Sequence, residues 1–204
     1  MNRAKADYFD SQVHAHWAGS DYSQEENAKI QRMLSLVGWH PHMRILEPGC
    51  GTGRLTEYLA DLAEPPGFIL AFDISSGMVE AARKRLRDSR LARVECIDLE
   101  SLDLRPQSFD LVICHQVLPH FDDKDQALAR MAGCLKPGGK IAVLHFIGSA
   151  VINDTHRKTS PAVQADTMPD EQSMTRLFTG AGFSVMHMED SDDGYLLVGE
   201  LRKA

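Results

Sequence analysis

The sequence is short of positive charge: 22 lysines and arginines stand against 29 aspartates and glutamates, giving a formal net charge of −7 and a pI near 5.7. Phosphate backbones are held by clustered lysine and arginine, so this balance argues against a broad nucleic-acid surface. The one basic run, Arg83 to Arg90, alternates with Ala82 and Leu86 and reads as the solvated face of a helix. Cysteine is sparse too: Cys50, Cys96, Cys114 and Cys134 are far apart, with no C-x-x-C pair, which removes the usual zinc and dithiol frameworks. The longest apolar runs, such as Leu111 to Cys114 and Ile141 to Leu144, fall far short of the roughly 20 residues of a membrane helix. Met1 to Asp10 mixes Arg3, Lys5, Asp7 and Asp10 without an apolar stretch, unlike a secretory signal. The expectation is a cytoplasmic protein with no membrane and no nucleic-acid partner. Repeats and low-complexity tracts are missing as well, and 204 residues at 43% hydrophobic content suit one domain, in which roughly 70% of the unfolded surface is buried.

What is there is an alternation. From residue 44 onward, short apolar strands alternate with amphipathic helices, the pattern of a mostly parallel sheet covered on both faces. The spacing predicts strands at Arg44 to Glu47, Phe68 to Asp73, Arg93 to Asp98, Phe109 to His115 and Lys140 to Phe146, with helices at Arg54 to Ala63, Gly77 to Ser89, Asp123 to Leu135 and Asp170 to Gly180. Phe183 to Glu189 and Tyr195 to Arg202 follow, joined by Asp190-Ser191-Asp192-Asp193-Gly194, a link that favours an antiparallel hairpin. The expected fold class is α/β: a Rossmann-like three-layer sandwich on a mostly parallel seven-stranded sheet, with a C-terminal antiparallel hairpin strand. Residues 44–146 form the cofactor-binding core of this single domain, and 169–204 supply the last helix and hairpin. Ahead of the core, residues 1–43 carry Tyr8, Phe9, Trp17 and Tyr22, and Ile30, Met33, Leu34 and Val37 recur at helical spacing. Two readings stand for that segment: packing against the sheet, or a helical lid. Residues 147–168 read as an irregular insertion on the substrate side.

The strongest local signal is Ile45-Leu46-Glu47-Pro48-Gly49-Cys50-Gly51-Thr52-Gly53-Arg54-Leu55, a strand ending in an acid, then a glycine loop, then a helix. Glycine lets backbone turn sharply and approach a ligand, and in open α/β sheets the ligand lies beyond the carboxyl ends of the strands. A dinucleotide fingerprint, G-x-G-x-x-G, would place its third glycine where Arg54 stands, which disfavours a nicotinamide oxidoreductase. Two more acids follow, Asp73 closing the second strand and Asp98 the third. The first can accept hydrogen bonds from both hydroxyls of a ribose, the second from an adenine amino group. Either acid taken alone also suits a turn or helix cap.

Residues 44–146 resemble the class I S-adenosylmethionine-dependent methyltransferases, most closely the ubiquinone/menaquinone-biosynthesis-like, type 11 small-molecule branch. The resemblance rests on E-P-G-C-G-T-G at 47–53, A-F-D-I-S-S-G-M at 71–78, C-I-D-L-E at 96–100, S-F-D-L-V-I-C-H-Q-V-L at 108–118 and L-K-P-G-G at 135–139. It implies S-adenosyl-L-methionine as cofactor and S-adenosyl-L-homocysteine as product. Glu47, Gly49 and Gly51 would hold the methionine part and Asp73 the ribose, Ile74 and Met78 would flank the adenine, and Asp98 and Leu99 would meet its edge. His115 would line the methionine site. An inactive or regulatory homologue would keep the same residues and bind without turnover.

A sulfonium donor is already activated, so the protein has chiefly to align an acceptor, and a base is needed only where the acceptor must lose a proton. Histidine suits that task near neutral pH. His145 ends the fifth strand and His156 lies in the 147–168 insertion, which makes these two the candidate catalytic residues. His115, at the end of the fourth strand, and His120, just past it, are further candidates for a base or substrate ligand; the competing readings are that His115 only lines the methionine site and that His120 caps a helix. No H-x-x-x-H pair supports a metal site, so none is expected. After the fourth strand the chain reads Cys114-His115-Gln116-Val117 rather than N/D-P-P-Y, which leaves a small-molecule acceptor and a monomer or homodimer as the expectation.

Overall fold

The computed structural model describes residues 2–99 and 101–203, so Glu100, the last residue of the 96–100 motif, lies outside the described residues. Seven strands, β1 (Arg44–Pro48), β2 (Phe68–Asp73), β3 (Ala92–Cys96), β4 (Phe109–His115), β5 (Leu135–His145), β6 (Phe183–Ser191) and β7 (Gly194–Leu201), form one sheet in the order β3-β2-β1-β4-β5-β7-β6. The first five run parallel, and β7 runs antiparallel to both β5 and β6. This is the expected Rossmann-like sandwich. The strand order reverses between β1 and β4, and a crevice opens at that switch point beyond the carboxyl ends of the strands.

The helices are α1 (Arg3–Ser11), α2 (His16–Gly19), α3 (Gln24–Val37), α4 (Arg54–Leu62), α5 (Ser76–Arg85), α6 (Lys124–Cys134), α7 (Ser149–Lys158) and α8 (Glu171–Gly180). Side chains along a strand alternate between faces, and both faces here are covered. Leu111 and Ile113 pack with Ile30, Leu59 and Val79 of α3, α4 and α5, while Val112 and Cys114 pack with Leu128, Met131 and Phe178 of α6 and α8. The α3 helix starts at a capping box, with Ser23 accepting from the Glu26 N–H and Glu26 accepting from the Ser23 N–H, and it ends at Gly38 in the left-handed region. Its Ile30, Met33, Leu34 and Val37 are buried, so the packing reading of the N-terminal segment holds for α3. Among the described residues no helix is long and apolar enough to cross a membrane.

Three expectations are corrected. Residues 147–168 are not wholly irregular: Ser149–Lys158 is helical. That stretch has only Val151 and Ile152 as large apolar residues, too few to show a helical period. The helix is fixed instead by Asp190, which accepts from the Ser149 N–H, and by Asn153, which exchanges two hydrogen bonds with the backbone of Met168. The third strand ends at Cys96, so Asp98 does not close it; it stands in the following turn, where its carboxylate accepts from the Ser101 N–H at 2.9 Å. The fifth strand starts at Leu135, pairs with Phe109, and carries Pro137 to Gly139 as an irregularity within its length.

Candidate functional site

A single cavity of about 1010 Å³ occupies the crevice. One wall is the glycine loop. Gly49 has φ +65°, and a Cβ there would stand 2.2 Å from Cγ2 of Val117, so only glycine lets β1 pass this close to the segment after β4. Gly51 has φ +53° with open space where its side chain would be, and it lies in the cavity wall. Its N–H donates to Asp73 Oδ2 at 2.9 Å, while Asp73 Oδ1 accepts from the Ser75 N–H at 2.9 Å. Asp73 therefore braces the two loops that follow β1 and β2. Burial pushes its carboxyl above the usual range and those N–H donors oppose the shift.

Gly49, Gly51, Asp73, Ile74, Met78, Asp98, Leu99 and His115 all line this cavity. Glu47 does not. It is 1% exposed, behind the loop, where its carboxylate accepts from the Thr56 hydroxyl at 2.8 Å. Burial is the main reason its pKa is pushed up to about 8, with the Thr56 bond working the other way and the nearby Asp73 charge adding to the rise.

The opposite wall is rich in histidine: His115, His120, His145 and His156 all face the cavity. His145 and His115 have buried Nε2 atoms without a hydrogen-bond partner among the described residues. Burial lowers the pKa of both, that of His115 to about 3, so each ring is neutral at physiological pH. His156 Nδ1 lies 2.8 Å from the Asp166 backbone carbonyl, and His120 Nδ1 lies 2.7 Å from the Asp166 carboxylate. The His120 and His156 rings are 4.8 Å apart between centroids. Rather than capping a longer helix, His120 ends the 3₁₀ turn Leu118–His120 and turns its ring to Asp166. No group of three or more His, Cys, Asp or Glu side chains among the described residues is arranged to hold a metal ion.

The N-terminal helices cross the mouth. Tyr8, Phe9, Trp17 and Tyr22, the four aromatics ahead of the core, all line the cavity. On one side Asp10 accepts from the Ser75 hydroxyl and from the Gly77 N–H at 2.8 Å, fixing α1 to the start of α5. On the other, Lys5 reaches Asp122 and Asp166, both at 2.7 Å, and the His120 carbonyl at 2.8 Å. Farther along, the Thr52 hydroxyl donates to the Ala18 carbonyl and Arg54 donates to the Trp17 carbonyl at 2.8 Å. Lys5, Asp10, Arg54 and Asp166 were not among the site residues expected from the sequence, where Arg54 entered only as the residue at the third-glycine position. Lys5 and Asp10 resemble any surface charges on a short helix, and only the fold brings them to the site.

An adenosyl group with an amino-acid tail fits what the residues offer. Ile74, Met78 and Leu99 supply apolar faces, Asp73 and Asp98 supply acceptors, and Gly51 leaves the backbone bare. Near the tail end, Tyr22 Oη and Arg54 Nε are buried without partners among the described residues, and the Arg54 guanidinium stacks 4.0 Å from the Tyr22 ring centroid. Unsatisfied buried groups are costly, and a charged ligand group would relieve them.

The fold and the site together define a Rossmann-like domain for an adenosyl ligand, and comparison with known proteins agrees. Residues 46–143 match the family described as a methyltransferase domain, type 11. The malonyl-[acyl-carrier protein] O-methyltransferase of Priestia megaterium is 30% identical over 156 residues, 76% of this chain and 56% of that protein. The ubiquinone/menaquinone biosynthesis C-methyltransferase of Shewanella piezotolerans is 26% identical over 186 residues, 79% of this chain and 74% of that protein. The solved structure of Bacillus subtilis YcgJ superposes with a TM-score of 0.74 at 15% identity, covering 87% of this chain and all of that one, a likeness of fold. Through residues 46–143 the chain is thus similar to the S-adenosylmethionine-dependent methyltransferases. It spans little more than half the length of the Priestia relative.

Proposed function

We propose that this protein transfers a methyl group from S-adenosylmethionine to a small-molecule acceptor held between the glycine loop and the histidine wall. The observation that carries the reading is that one cavity gathers both the residues expected to hold the cofactor and the histidines that are candidates for the acceptor side, foremost His145 and His156. At about 1010 Å³ it lies at the upper end of ordinary ligand pockets, with room for two ligands side by side. When bound, the cofactor supplies a methyl group on a positively charged sulfur.

The protein's own residues then have separate tasks. Asp73 accepts from the ribose hydroxyls, Asp98 and the Leu99 backbone meet the adenine edge, and Ile74 and Met78 flank its faces. Gly49 and Gly51 give the tail its passage, with His115 lining it. Glu47, buried behind the loop, acts on the ammonium group only across the glycine loop, through its charge, and does not touch it. His145 and His156 position the acceptor. The neutral His145 ring, with Nε2 unpartnered among the described residues, offers a hydrogen bond that water would otherwise contest. Within 1–43, α1 and α2 act as the lid over this single domain while α3 packs on the sheet; 44–146 form the cofactor core, 147–168 the acceptor side and 169–204 the closing helix and hairpin. Helices α1 and α2 cross the mouth and narrow it, which suits a small acceptor in a monomer or homodimer and not a nucleic acid or membrane.

Calorimetry and thermal melting test the reading together. S-adenosylhomocysteine should bind and raise the melting temperature, while NADH should do neither. Binding without methyl transfer to any acceptor in a metabolite extract would leave a regulatory homologue, and protection by NADH alone would overturn the cofactor.

A further inference from the structure

We propose that His120, held by Asp166, accepts the proton that the methyl acceptor gives up as it is methylated. The inference rests on the function proposed above and adds to it a proton acceptor, and with it an acceptor group that must lose a proton. His120 lies in the cavity wall, with its ring edge against Phe9 at 5.0 Å between centroids. Its Nδ1 is 2.7 Å from Asp166 Oδ2, and a carboxylate can only accept, so Nδ1 carries the hydrogen. Nε2 is left with a lone pair, and among the described residues it has no hydrogen-bond partner. The carboxylate thereby fixes both the tautomer and the ring orientation, the arrangement a general base requires.

A lone carboxylate would favour the imidazolium, which cannot accept a proton. Two features oppose that. The His120 and Asp166 side chains are largely buried, and the other Asp166 oxygen is 2.7 Å from the ammonium of Lys5, which neutralises much of the carboxylate's charge. The groups facing His120 from the packed elements are Lys5 of α1, Asp122 and Lys124 at the start of α6, His145 of β5, His156 of α7, and Asp166. Burial is the largest influence on His120 and holds its pKa below the usual value despite Asp166. The ring waits neutral, yet the proton it gains is stabilised by Asp166. His156 has a similar free Nε2, but its Nδ1 meets only the Asp166 carbonyl, which offers no full charge to a forming imidazolium.

The step balances. As the acceptor atom bonds to the methyl carbon, the carbon–sulfur electron pair stays with sulfur, and the acceptor's proton passes to His120 Nε2. The positive charge lost at the sulfonium reappears on the imidazolium, beside Asp166, and leaves later as a proton to water. Because Lys5 sits on α1, the docked position of that helix completes the site.

Two readouts decide the matter. Histidine-ring NMR on selectively labelled protein saturated with S-adenosylhomocysteine should show His120 at pH 7 protonated on Nδ1 and bare on Nε2, with that tautomer lost in Asp166→Asn. Methyl transfer from radiolabelled S-adenosylmethionine to phenol, dithiothreitol and a primary alkylamine gives the second. His120→Gln should lower kcat about a hundred- to ten-thousand-fold with little change in S-adenosylhomocysteine affinity. Asp166→Asn should lower kcat less and move the acid limb of the profile to lower pH, since the imidazolium loses its counter-charge; a purely structural role would not shift the limb. His156→Gln should raise KM for the acceptor more than it lowers kcat. Retention of kcat within about threefold in His120→Gln would overturn the proposal. So would a proton on Nε2 at neutral pH, which decides the point even where no probe is methylated or the variant does not fold. Failure to bind S-adenosylhomocysteine would instead sink the cofactor reading, so the two can fail separately.

Discussion

The two walls of the cavity are built by different means. The cofactor wall is local: each acid and glycine belongs to one strand-loop-helix unit, and Asp73 is tied to Gly51 and Ser75 by backbone N–H groups a few residues or one unit away. The acceptor wall is assembled at a distance. Lys5 meets the His120 carbonyl and the Asp122 carboxylate across 115 and 117 positions, and His120 meets Asp166 across 46. A wall made of backbone geometry tolerates changes elsewhere, whereas a wall made of side-chain pairs depends on every helix that brings a partner.

That contrast can be broken or sharpened by variants that touch one wall alone. The largest effect is expected from Asp73→Ala. It removes a buried acceptor for two ribose hydroxyls, each charge-assisted bond contributing about 1.5 to 3 kcal/mol, so S-adenosylhomocysteine affinity should fall on the order of a hundredfold or more by calorimetry. Hydrogen exchange in residues 3–11 should stay slow in that variant. If α1 loosened as well, the walls would not be independent.

Lys5→Met is the converse. It leaves Asp166 buried without its cation, and losing one partner of a buried pair costs about 3 to 5 kcal/mol when nothing relaxes. Here Asp122 is largely exposed and α1 can undock, so about 2 kcal/mol is expected, spent on lid opening rather than on global unfolding. Hydrogen exchange over residues 3–11 should speed up while S-adenosylhomocysteine affinity changes little. A melting temperature lowered to the same degree as the lid would show that α1 belongs to the core.

The smallest effect is a slope. Glu47 has its folded pKa raised from 4.5 to about 8, so the native state keeps a proton that the unfolded chain has lost, and stability should fall as pH rises between those values. His115, lowered from 6.5 to about 3, acts in the opposite sense: stability is lost as pH falls from 6.5 toward 3, and His145 adds to that loss. Between pH 6.5 and 8 the Glu47 contribution stands clear of both histidines. One proton corresponds to about 1.4 kcal/mol per pH unit. Glu47→Gln should remove up to that slope in denaturant melts of the ligand-free protein. An unchanged slope would mean the Glu47 carboxyl is already ionised in the fold.

The reading of the sequence succeeded where a signal lies within one unit. The parallel strands and the glycine loop follow from apolar periodicity and short motifs, and Asp73, Ile74, Met78 and Leu99, which the family resemblance implied, line one space. Asp98 reaches the same space from a turn, not from a strand end, because pairing with β2 stops at Cys96. Glu47 has the expected position in the chain but lies behind the loop, since its side chain turns to Thr56. The α7 helix escaped because its ten residues carry too few apolar side chains to mark a face, and its anchors, Asp190 and Met168, lie outside it.

Sequence alone determined the class of the fold, the cofactor loop and the acids around it, because alternating burial and glycine placement are constraints on neighbouring residues. Tertiary structure decided which histidine has a carboxylate behind it. That pairing depends on how α1, the turn after β4 and the chain beyond α7 pack against one another, and no residue in those segments carries a local pattern that records where its partner will be.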